Sequence, residues 1–191
     1  HEPGRGPRPQ WSSAPSLNTP QPFWRPLRRS PAFDATMLIG VISDTHGLLR
    51  PEALSALAGV EHIIHAGDVG SPDIVPRLAE IAPVTAIRGN VDTQAWARKL
   101  PAREVVMLAE RTIYIIHDLG DLDLDPVAAG FDMVISGHSH QPKIETVARV
   151  VYLNPGSAGP RRFKLPITLA TVDLTSAPFH PTVHTLVERS Q

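Results

Sequence analysis

The sequence predicts an α/β protein in which two packed β-sheets carry helices on their outer faces. In the first half, short Ile- and Val-rich segments alternate with segments that have helix start and stop signals, a pattern typical of strand–helix–strand units. Such units pair their strands in parallel through right-handed crossovers. From residue 104 onward, strand-like segments follow one another with only short turns between them. The first half therefore predicts a parallel sheet, and the second half adds a β-rich sheet.

Composition limits the possible functions. The chain has 191 residues with 42% hydrophobic and 19% charged residues, which is ordinary for a soluble globular domain. A formal net charge of −1 gives no electrostatic reason to expect a nucleic acid or an anionic membrane as partner. Because the chain has no cysteine, a metal ion would have to be bound by oxygen and imidazole nitrogen. No apolar segment approaches the roughly 18 residues of a membrane span, and a cytoplasmic location is the default expectation.

Residues 1–36 differ from the rest of the chain. They contain eight of the 20 prolines and five arginines, but only two acidic residues. Proline at this density opposes both helix and sheet, so we expect a disordered extension before a single domain at 37–191. Met37 stands at the start of the first strand, which suggests that the functional protein begins there.

Each element of the first half has its own signal. A buried strand starts at Met37 and ends before Asp44. Pro51 starts a helix that Gly59 ends, and Ser71 with Pro72 predicts the N-cap and first residue of a second helix that reaches Ala82. Two further strands are predicted at 62–65 and 83–87.

The second half consists mostly of strands. A hairpin is predicted from strands 104–108 and 112–116, and a short helix is predicted near 125–129. Further strands are predicted at 132–136, 144–147, 150–153, 167–174 and 182–187.

Five of these strands end in side chains that can bind metal. In a strand, residues i and i+2 point to the same side, so Asp44 and His46 can face one point, although alone they could equally be a turn cap and an incidental histidine. Ligands of open α/β sheets bind beyond the carboxyl ends of the strands. A glycine precedes the first polar residue at three of these ends, which allows a sharp turn and a close approach. The residues concerned are Asp44, His46, Asp68, Asn90, His117, His138 and His140.

This series of motifs resembles the calcineurin-like metallophosphoesterase superfamily, and its order and spacing are most similar to the small single-domain prokaryotic phosphodiesterases. The motifs are Asp44-x-His46, Gly67-Asp68, Gly89-Asn90, His117 and Gly137-His138-x-His140, followed by Asn154-Pro155-Gly156-Ser157. The resemblance covers roughly residues 37 to 174. It implies a four-layer αββα sandwich of two mixed sheets.

The resemblance also implies two divalent metal ions. The first would be bound by Asp44, His46, Asp68 and His140, and the second by Asp68, Asn90, His117 and His138, with Asp68 shared. Mn, Ni, Fe, Co or Zn suits this mixed nitrogen and oxygen ligation better than Mg, and Mn is favoured. A hydroxide that bridges the ions, positioned by Asp68 with Asn90 beside it, would attack phosphorus in line with the leaving oxygen.

The chain departs from the superfamily pattern at two positions. Many members have a histidine after the Gly-Asn pair that acts as general acid or contacts phosphate, whereas here Val91 and Asp92 follow. Asp92, His65 or a metal-bound water could supply the proton instead. Asp118 stands where the phosphodiesterase branch commonly has glycine. It could accept an imidazole N–H or cap a turn, and the turn is favoured.

Other residues are weaker candidates. The substrate phosphate could be contacted by Arg88, by Arg50 and by one of the pair Arg161 and Arg162, of which Arg161 is selected. Structural ion pairs would explain these arginines equally well. Asp92 and Asn154 could orient the metal ligands without binding a metal themselves, although Asn154 could equally form a structural turn.

The resemblance thus implies a phosphoric ester hydrolase, most specifically a phosphodiesterase, that acts on a small phosphoester. Two alternatives stay open. One is a non-catalytic protein-interaction scaffold, like the retromer subunit that shares this fold. The other is a nuclease, which the near-neutral charge disfavours.

Overall fold

The computed structural model describes residues 36–162 and 164–187, so the predicted N-terminal extension lies almost entirely outside the described residues. Ten strands and two α-helices follow one another in the described chain. They are β1 Leu38–Ile42, α1 Pro51–Ala56, β2 His62–His65, α2 Ile74–Ala79, β3 Val84–Ala86, β4 Arg103–Leu108, β5 Arg111–Ile116, β6 Met133–Ile135, β7 Lys143–Val147, β8 Val150–Asn154, β9 Ile167–Asp173 and β10 Thr182–Val187.

The strands form two mixed five-stranded sheets. The first has the order β10-β9-β1-β2-β3 and the second the order β4-β5-β6-β8-β7. In the first sheet β1, β2 and β3 are parallel, and in the second β5, β6 and β8 are parallel. The remaining pairs are antiparallel. The predicted α/β class with two mixed sheets is confirmed, and so is the parallel pairing of the first three strands.

Alternation along the strands divides the core into three layers. Ile39 and Val41 of β1 face Ile113 and Ile115 of β5 in the cluster that fills the space between the sheets. On the outer side of the first sheet, Ile42 packs with residues of α1 and α2. Because a strand points successive side chains to opposite faces, one β-branched strand can serve both layers at once.

The outer side of the second sheet is covered differently. Tyr114 and Val134 pack there against Phe131, Leu122 and Val127, which come from the segment between β5 and β6. This segment contains a 3₁₀ helix at Leu119–Asp121 and turns, so within the described residues both α-helices cover the first sheet. The helical layer over the second sheet is thus thinner than the sandwich prediction implies.

Helix boundaries differ most from the predicted ones. The predicted helix at 71–82 spans only Ile74–Ala79, its N-cap is Asp73, and the Ser71 hydroxyl instead accepts a hydrogen bond from the Asp73 amide. The helix predicted near 125–129 is wrong: the segment forms turns that end at Gly130, whose φ is +77°. A 3₁₀ helix at Ala95–Lys99 was not predicted. Strand boundaries, by contrast, agree to within about one residue.

The parallel strands of both sheets end next to the candidate functional residues. β1, β2 and β3 are neighbours in one sheet, and β5 and β6 are neighbours in the other. Because neighbouring parallel strands share one carboxyl edge, their five following loops converge. No helix in the described part of the chain is long and apolar enough to cross a membrane.

Candidate metal centre

The loops after β1 and β2 are held together by main-chain hydrogen bonds. The amides of Asp44, His46 and Gly47 donate to the carbonyls of Gly67, Asp68 and Val69 over 3.0, 2.9 and 2.8 Å. Similarly, the Gly137 amide donates to the His117 carbonyl over 2.9 Å. Parallel pairing therefore continues beyond the strand ends, and it fixes the relative positions of the candidate ligands.

Glycine makes this close approach possible. An added side chain at Gly67, whose φ is +95°, would meet the Nδ1 atom of His117 at 2.6 Å. A side chain at Gly89 would collide with the Asp68 carboxylate, and one at Gly137 with the Ser43 hydroxyl. The three glycines recognised in the sequence thus stand where loop and side chain leave no room for a Cβ atom.

A first cluster contains Asp44, His46 and His140. The Nε2 atoms of the two histidines lie 3.2 Å apart, and the Oδ1 atom of Asp44 lies 3.3 Å from His140 Nε2 and 3.9 Å from His46 Nε2. Asp68 approaches from the other side, with its Oδ2 atom 3.8 Å from His46 Nε2. The ligand atoms of Asp44, His46 and His140 therefore lie within 4.8 Å of one another, and Asp68 borders this cluster at His46.

A second cluster lies on the opposite side of Asp68. The Oδ1 atom of Asp68 is 3.4 Å from His117 Nε2, and the Oδ1 atom of Asn90 is 3.1 Å from both His117 Nε2 and His138 Nδ1. The ligand atoms of Asp44, Asp68 and His117 also lie within 4.8 Å of one another. Asp68 therefore presents one oxygen to each cluster.

Two observations indicate that these residues are suited to bind metal ions. Asp44 Oδ1 is buried without a hydrogen-bond partner, although an unpaired buried carboxylate oxygen is costly. In addition, ligand atoms about 2.1 Å from one tetrahedral or octahedral ion lie about 3.0–3.4 Å apart, which is close to the distances within both clusters. A cation in the first cluster would give the Asp44 Oδ1 atom the partner that it lacks, and the spacing of the second cluster also fits an ion.

Burial, hydrogen bonds and nearby charges shift the pKa values of three residues at the centre. Burial alone would raise the pKa of Asp68, but hydrogen bonds from His117 and from the Val91 amide hold it below its ordinary value. Burial alone would lower the pKa of His117, but the Asp68 carboxylate and the Ala66 carbonyl raise it. Burial lowers the pKa of His46 although the charges of Asp68 and Asp44 raise it, and the charge of Arg162 adds to the lowering. The centre thus favours an ionised Asp68.

Asp92 joins two of the ligand loops. Its carboxylate accepts hydrogen bonds from the amides of Val69, Gly70 and Gly89 over 2.8–2.9 Å, and the residue is 4% exposed. With both oxygens occupied by main-chain donors, Asp92 is not available to protonate a leaving group. It instead fixes the loop that carries Asp68 to the loop that carries Asn90.

His65 is likewise a structural residue. It is fully buried, the Gly67 amide donates to its Nδ1 atom, and its Nε2 atom lies 2.9 Å from the Thr45 hydroxyl. Because Nδ1 accepts, the single proton of the neutral ring is on Nε2 and donates to Thr45, whose own hydroxyl donates to the Val69 carbonyl. Burial lowers the pKa of His65 to about 4, so the ring is neutral near pH 7 and has no path to a substrate.

Asn154 supports the turn that carries His138. Its side-chain amide donates to the Gly137 carbonyl over 2.6 Å and to the Ser139 hydroxyl over 3.1 Å. Its oxygen accepts from the Gly156 amide, and the nearby Ser157 hydroxyl donates to the Asp44 carbonyl. Asn154 therefore closes its own turn and at the same time anchors the turn that carries His138.

The arginines selected from the sequence lie in different surroundings. Arg88 lines a cavity of about 280 Å³ beside Asn90 and His138, although its guanidinium also donates to the Leu100 carbonyl. Arg50 and Arg161 donate to the main-chain carbonyls of Gly159 and Val187. Arg162, passed over in favour of Arg161, is the member of the pair whose charge acts on His46. Because Arg161 and Arg162 are neighbours in one loop, the sequence contained no signal that distinguishes them.

The sandwich of two sheets, with adjoining oxygen and nitrogen clusters at the strand ends, defines an α/β protein with a candidate two-metal centre. A profile of the calcineurin-like phosphoesterase superfamily domain matches residues 37–177, and the chain belongs to this superfamily. The family resemblance of the motifs is thereby confirmed.

Known relatives agree with this assignment. A probable metallophosphoesterase of Methanothermobacter thermautotrophicus is 41% identical over 133 residues, which cover 63% of this chain and 77% of that protein. A solved structure described as a novel archaeal phosphodiesterase is 25% identical with a TM-score of 0.66, and the match covers 78% of this chain and 100% of the other. Vps29 of Entamoeba histolytica in complex with Zn²⁺ is 23% identical with a TM-score of 0.65 and 81% and 95% coverage, a likeness that shows the fold alone.

Proposed function

We propose that this protein is a metal-dependent phosphodiesterase with two divalent ions. The observation that carries the proposal is the position of Asp68, whose two oxygens face two different clusters of histidine and oxygen ligands. A carboxylate shared in this way could help to hold two divalent ions, which would together supply two-metal phosphoryl chemistry.

The proposed ligand sets follow the two clusters. Asp44, His46, Asp68 and His140 would hold the first ion, and Asp68, Asn90, His117 and His138 the second. Imidazole and carboxylate together suit Mn, Ni, Fe, Co and Zn, and Mn²⁺ is the ion that we propose. When bound, the ions would activate a water molecule for attack on phosphorus and neutralise charge on the phosphoryl oxygens.

Charged side chains in and around the two clusters support the binding of a phosphate group. Asp44 and Asp68 are the carboxylates of the two clusters, so two dications would keep a net positive charge that attracts a phosphate group. Arg162 near His46 and Arg88 beside Asn90 are the proposed additional phosphate contacts. Asp92 and His65 are occupied by internal hydrogen bonds, so diesters with good leaving groups are the expected substrates.

The 25% identity to the solved archaeal phosphodiesterase supports a diester rather than a monoester as the substrate. The experiment is a panel of chromogenic phosphodiesters and phosphomonoesters tested against the five metals. We expect hydrolysis of the diester that depends on added metal, and a loss of at least about 100-fold in Asp68→Asn. Asp173→Asn is the matched control and should retain activity, because Asp173 ends β9 and its carboxylate accepts a hydrogen bond from the Thr175 hydroxyl.

Three outcomes would contradict the proposal. Hydrolysis of monoesters alone would overturn the assignment to diesters. Full activity of Asp68→Asn would remove the shared carboxylate from the mechanism. Metal binding without hydrolysis of any ester would favour the scaffold alternative.

A further inference from the structure

Asp118 contacts the candidate centre through His138. It directly follows His117, and its Oδ1 atom accepts a hydrogen bond of 2.8 Å from the Gly120 amide at the start of the 3₁₀ helix. Its Oδ2 atom lies 3.5 Å from the Nε2 atom of His138. The turn thus anchors one carboxylate oxygen and leaves the other facing an imidazole. The turn cap that the sequence favoured is present, and the second oxygen lies within ion-pair distance of the imidazole.

The imidazole of His138 has different partners at its two nitrogens. Nε2 faces Asp118, while Nδ1 lies 3.1 Å from Asn90 Oδ1, inside the second cluster. A neutral imidazole carries one proton, and whichever nitrogen lacks it has the lone pair that a metal ion requires. Asn90 Oδ1 and the Asp118 carboxylate are both acceptors, so each favours the proton on the nitrogen that it faces. The carboxylate carries a full negative charge and is the stronger acceptor.

We propose that Asp118 is a positioning residue that holds His138 as the Nε2–H tautomer and so directs the Nδ1 lone pair into the second cluster. The proposal rests on the proposed function only in taking the second cluster as a metal site. Partners of this kind orient metal-binding histidines and typically contribute 10- to 100-fold in metal affinity. His117 provides the comparison, because the Ala66 carbonyl, 2.8 Å from its Nδ1 atom, leaves its Nε2 atom for the cluster.

The decisive variant is Asp118→Asn. The amide oxygen can still accept from the Gly120 amide, but the side-chain NH₂ group would then face His138 Nε2. A donor at that position favours a proton on Nδ1, which is the tautomer that cannot bind the ion. Asp118→Gly removes the side chain and leaves both tautomers accessible. Asp121→Asn is the matched control, because it changes an exposed carboxylate that lines the cavity beside Asn90 and His138.

Two measurements on these proteins test the proposal without substrate. The first is the imidazole ¹⁵N spectrum of metal-free, histidine-labelled protein at pH 8.5, with the His138 signals assigned through His138→Ala. The second is the stoichiometry and affinity of Mn²⁺ and Zn²⁺ by calorimetric titration. We expect an Nε2–H signal in the parent protein, a shift toward Nδ1–H in Asp118→Asn, and a second-ion affinity about 10- to 100-fold lower with the first unchanged. Asp118→Gly should show both tautomers, and Asp121→Asn should behave as the parent.

Equal tautomer signals in the parent protein and Asp118→Asn would overturn the proposal, as would unchanged binding of the second ion. If Asp118→Asn lost both ions together, the residue would be general scaffolding rather than a positioning residue for His138. Because neither measurement uses a phosphoester, a protein that binds two ions as described but hydrolyses nothing would refute the proposed function and support this inference.

Discussion

At the scale of single residues, the candidate ligands share an unusual backbone. Five of the seven adopt positive φ values, between 46° and 67°, and none is glycine: Asp44, His46, Asp68, His138 and His140. This left-handed region costs a non-glycine residue roughly 1–2 kcal/mol, and such strain concentrates at functional sites. The sequence identified these residues from their positions at strand ends, but it contained no direct signal of their strain.

Replacing His138 tests this strain, because its side chain is exposed and its removal costs little packing. In metal-free protein we expect His138→Gly to be more stable than His138→Ala by about 1 kcal/mol, since only glycine adopts a φ of 67° without penalty. Urea unfolding of both variants measures the difference.

Asp121 provides the matched pair, because it is exposed and does not have a positive φ. There the alanine variant should be at least as stable as the glycine variant. The strain would be disproved if alanine were also the more stable replacement at position 138.

His65 predicts a pH dependence of stability. Its pKa is about 4 in the folded protein and about 6.5 when unfolded, so the unfolded chain takes up a proton first as the pH falls. The folded state therefore loses about 1.4 kcal/mol for each pH unit between about 6.5 and 4. We expect the stability advantage of the parent over His65→Gln to shrink by roughly 3 kcal/mol between pH 7.5 and 4.5.

Denaturant unfolding of metal-free protein at the two pH values measures this change. Thr45→Val is the control, because it breaks the same network of hydrogen bonds but retains His65. Its stability relative to the parent should be nearly the same at both pH values. A pH-independent gap for His65→Gln would show that the buried ring is not held neutral.

At the scale of elements, the strands were more predictable than the helices. A strand such as β5 is recognised from its β-branched residues, which fit a buried, pleated surface. α1 and α2 have six residues each, too few to be stable alone, so packing on the first sheet determines where they end. Residues 125–129 have helix-like start signals, yet they form turns that place Val127 against the second sheet.

The loops between elements depend on contacts that sequence patterns do not contain. Asp92 looked like a substitute for a missing catalytic histidine, yet it accepts three main-chain amides from two loops. We expect Asp92→Asn to lower the free energy of unfolding by at least about 2 kcal/mol, because an amide NH₂ would replace an acceptor and face a main-chain donor. Thermal and urea unfolding measure the loss.

Asp73→Asn is the control for removing a carboxylate, since Asp73 is exposed and makes no capping bond with its side chain. It should change stability by no more than about 0.5 kcal/mol. If Asp92→Asn were equally neutral, the carboxylate would not be what fixes the two loops.

At the scale of the whole molecule, the candidate centre depends on both sheets. Asp44, Asp68 and Asn90 follow strands of the first sheet, whereas His117, His138 and His140 follow strands of the second. The motif order predicted which residues would meet because every ligand stands at a strand end. The orientation of each ring and carboxylate could not be predicted, since it depends on contacts such as that between His117 and the Ala66 carbonyl, 51 residues apart.

Ligands drawn from both sheets predict that metal binding stabilises the whole fold. An ion that binds only the folded state adds about 4 kcal/mol when its concentration is 1,000 times its Kd. For a domain of this size, that increase raises Tm by roughly 8–16 °C for each occupied site. Calorimetric scans with chelator, and then with Mn²⁺, Ni²⁺, Co²⁺ or Zn²⁺, measure the shift.

Asp68→Asn should lose most of the shift at both sites, because its carboxylate faces both clusters. Asp173→Asn, at the end of β9 where the carboxylate accepts a hydrogen bond from the Thr175 hydroxyl, should keep the full shift. Two-step stabilisation in the parent that reaches a plateau at two ions per chain would match the two clusters. If none of the metals raised Tm above its value in chelator, or if Asp68→Asn responded like the parent, the converging strand ends of the two sheets would not form a metal centre.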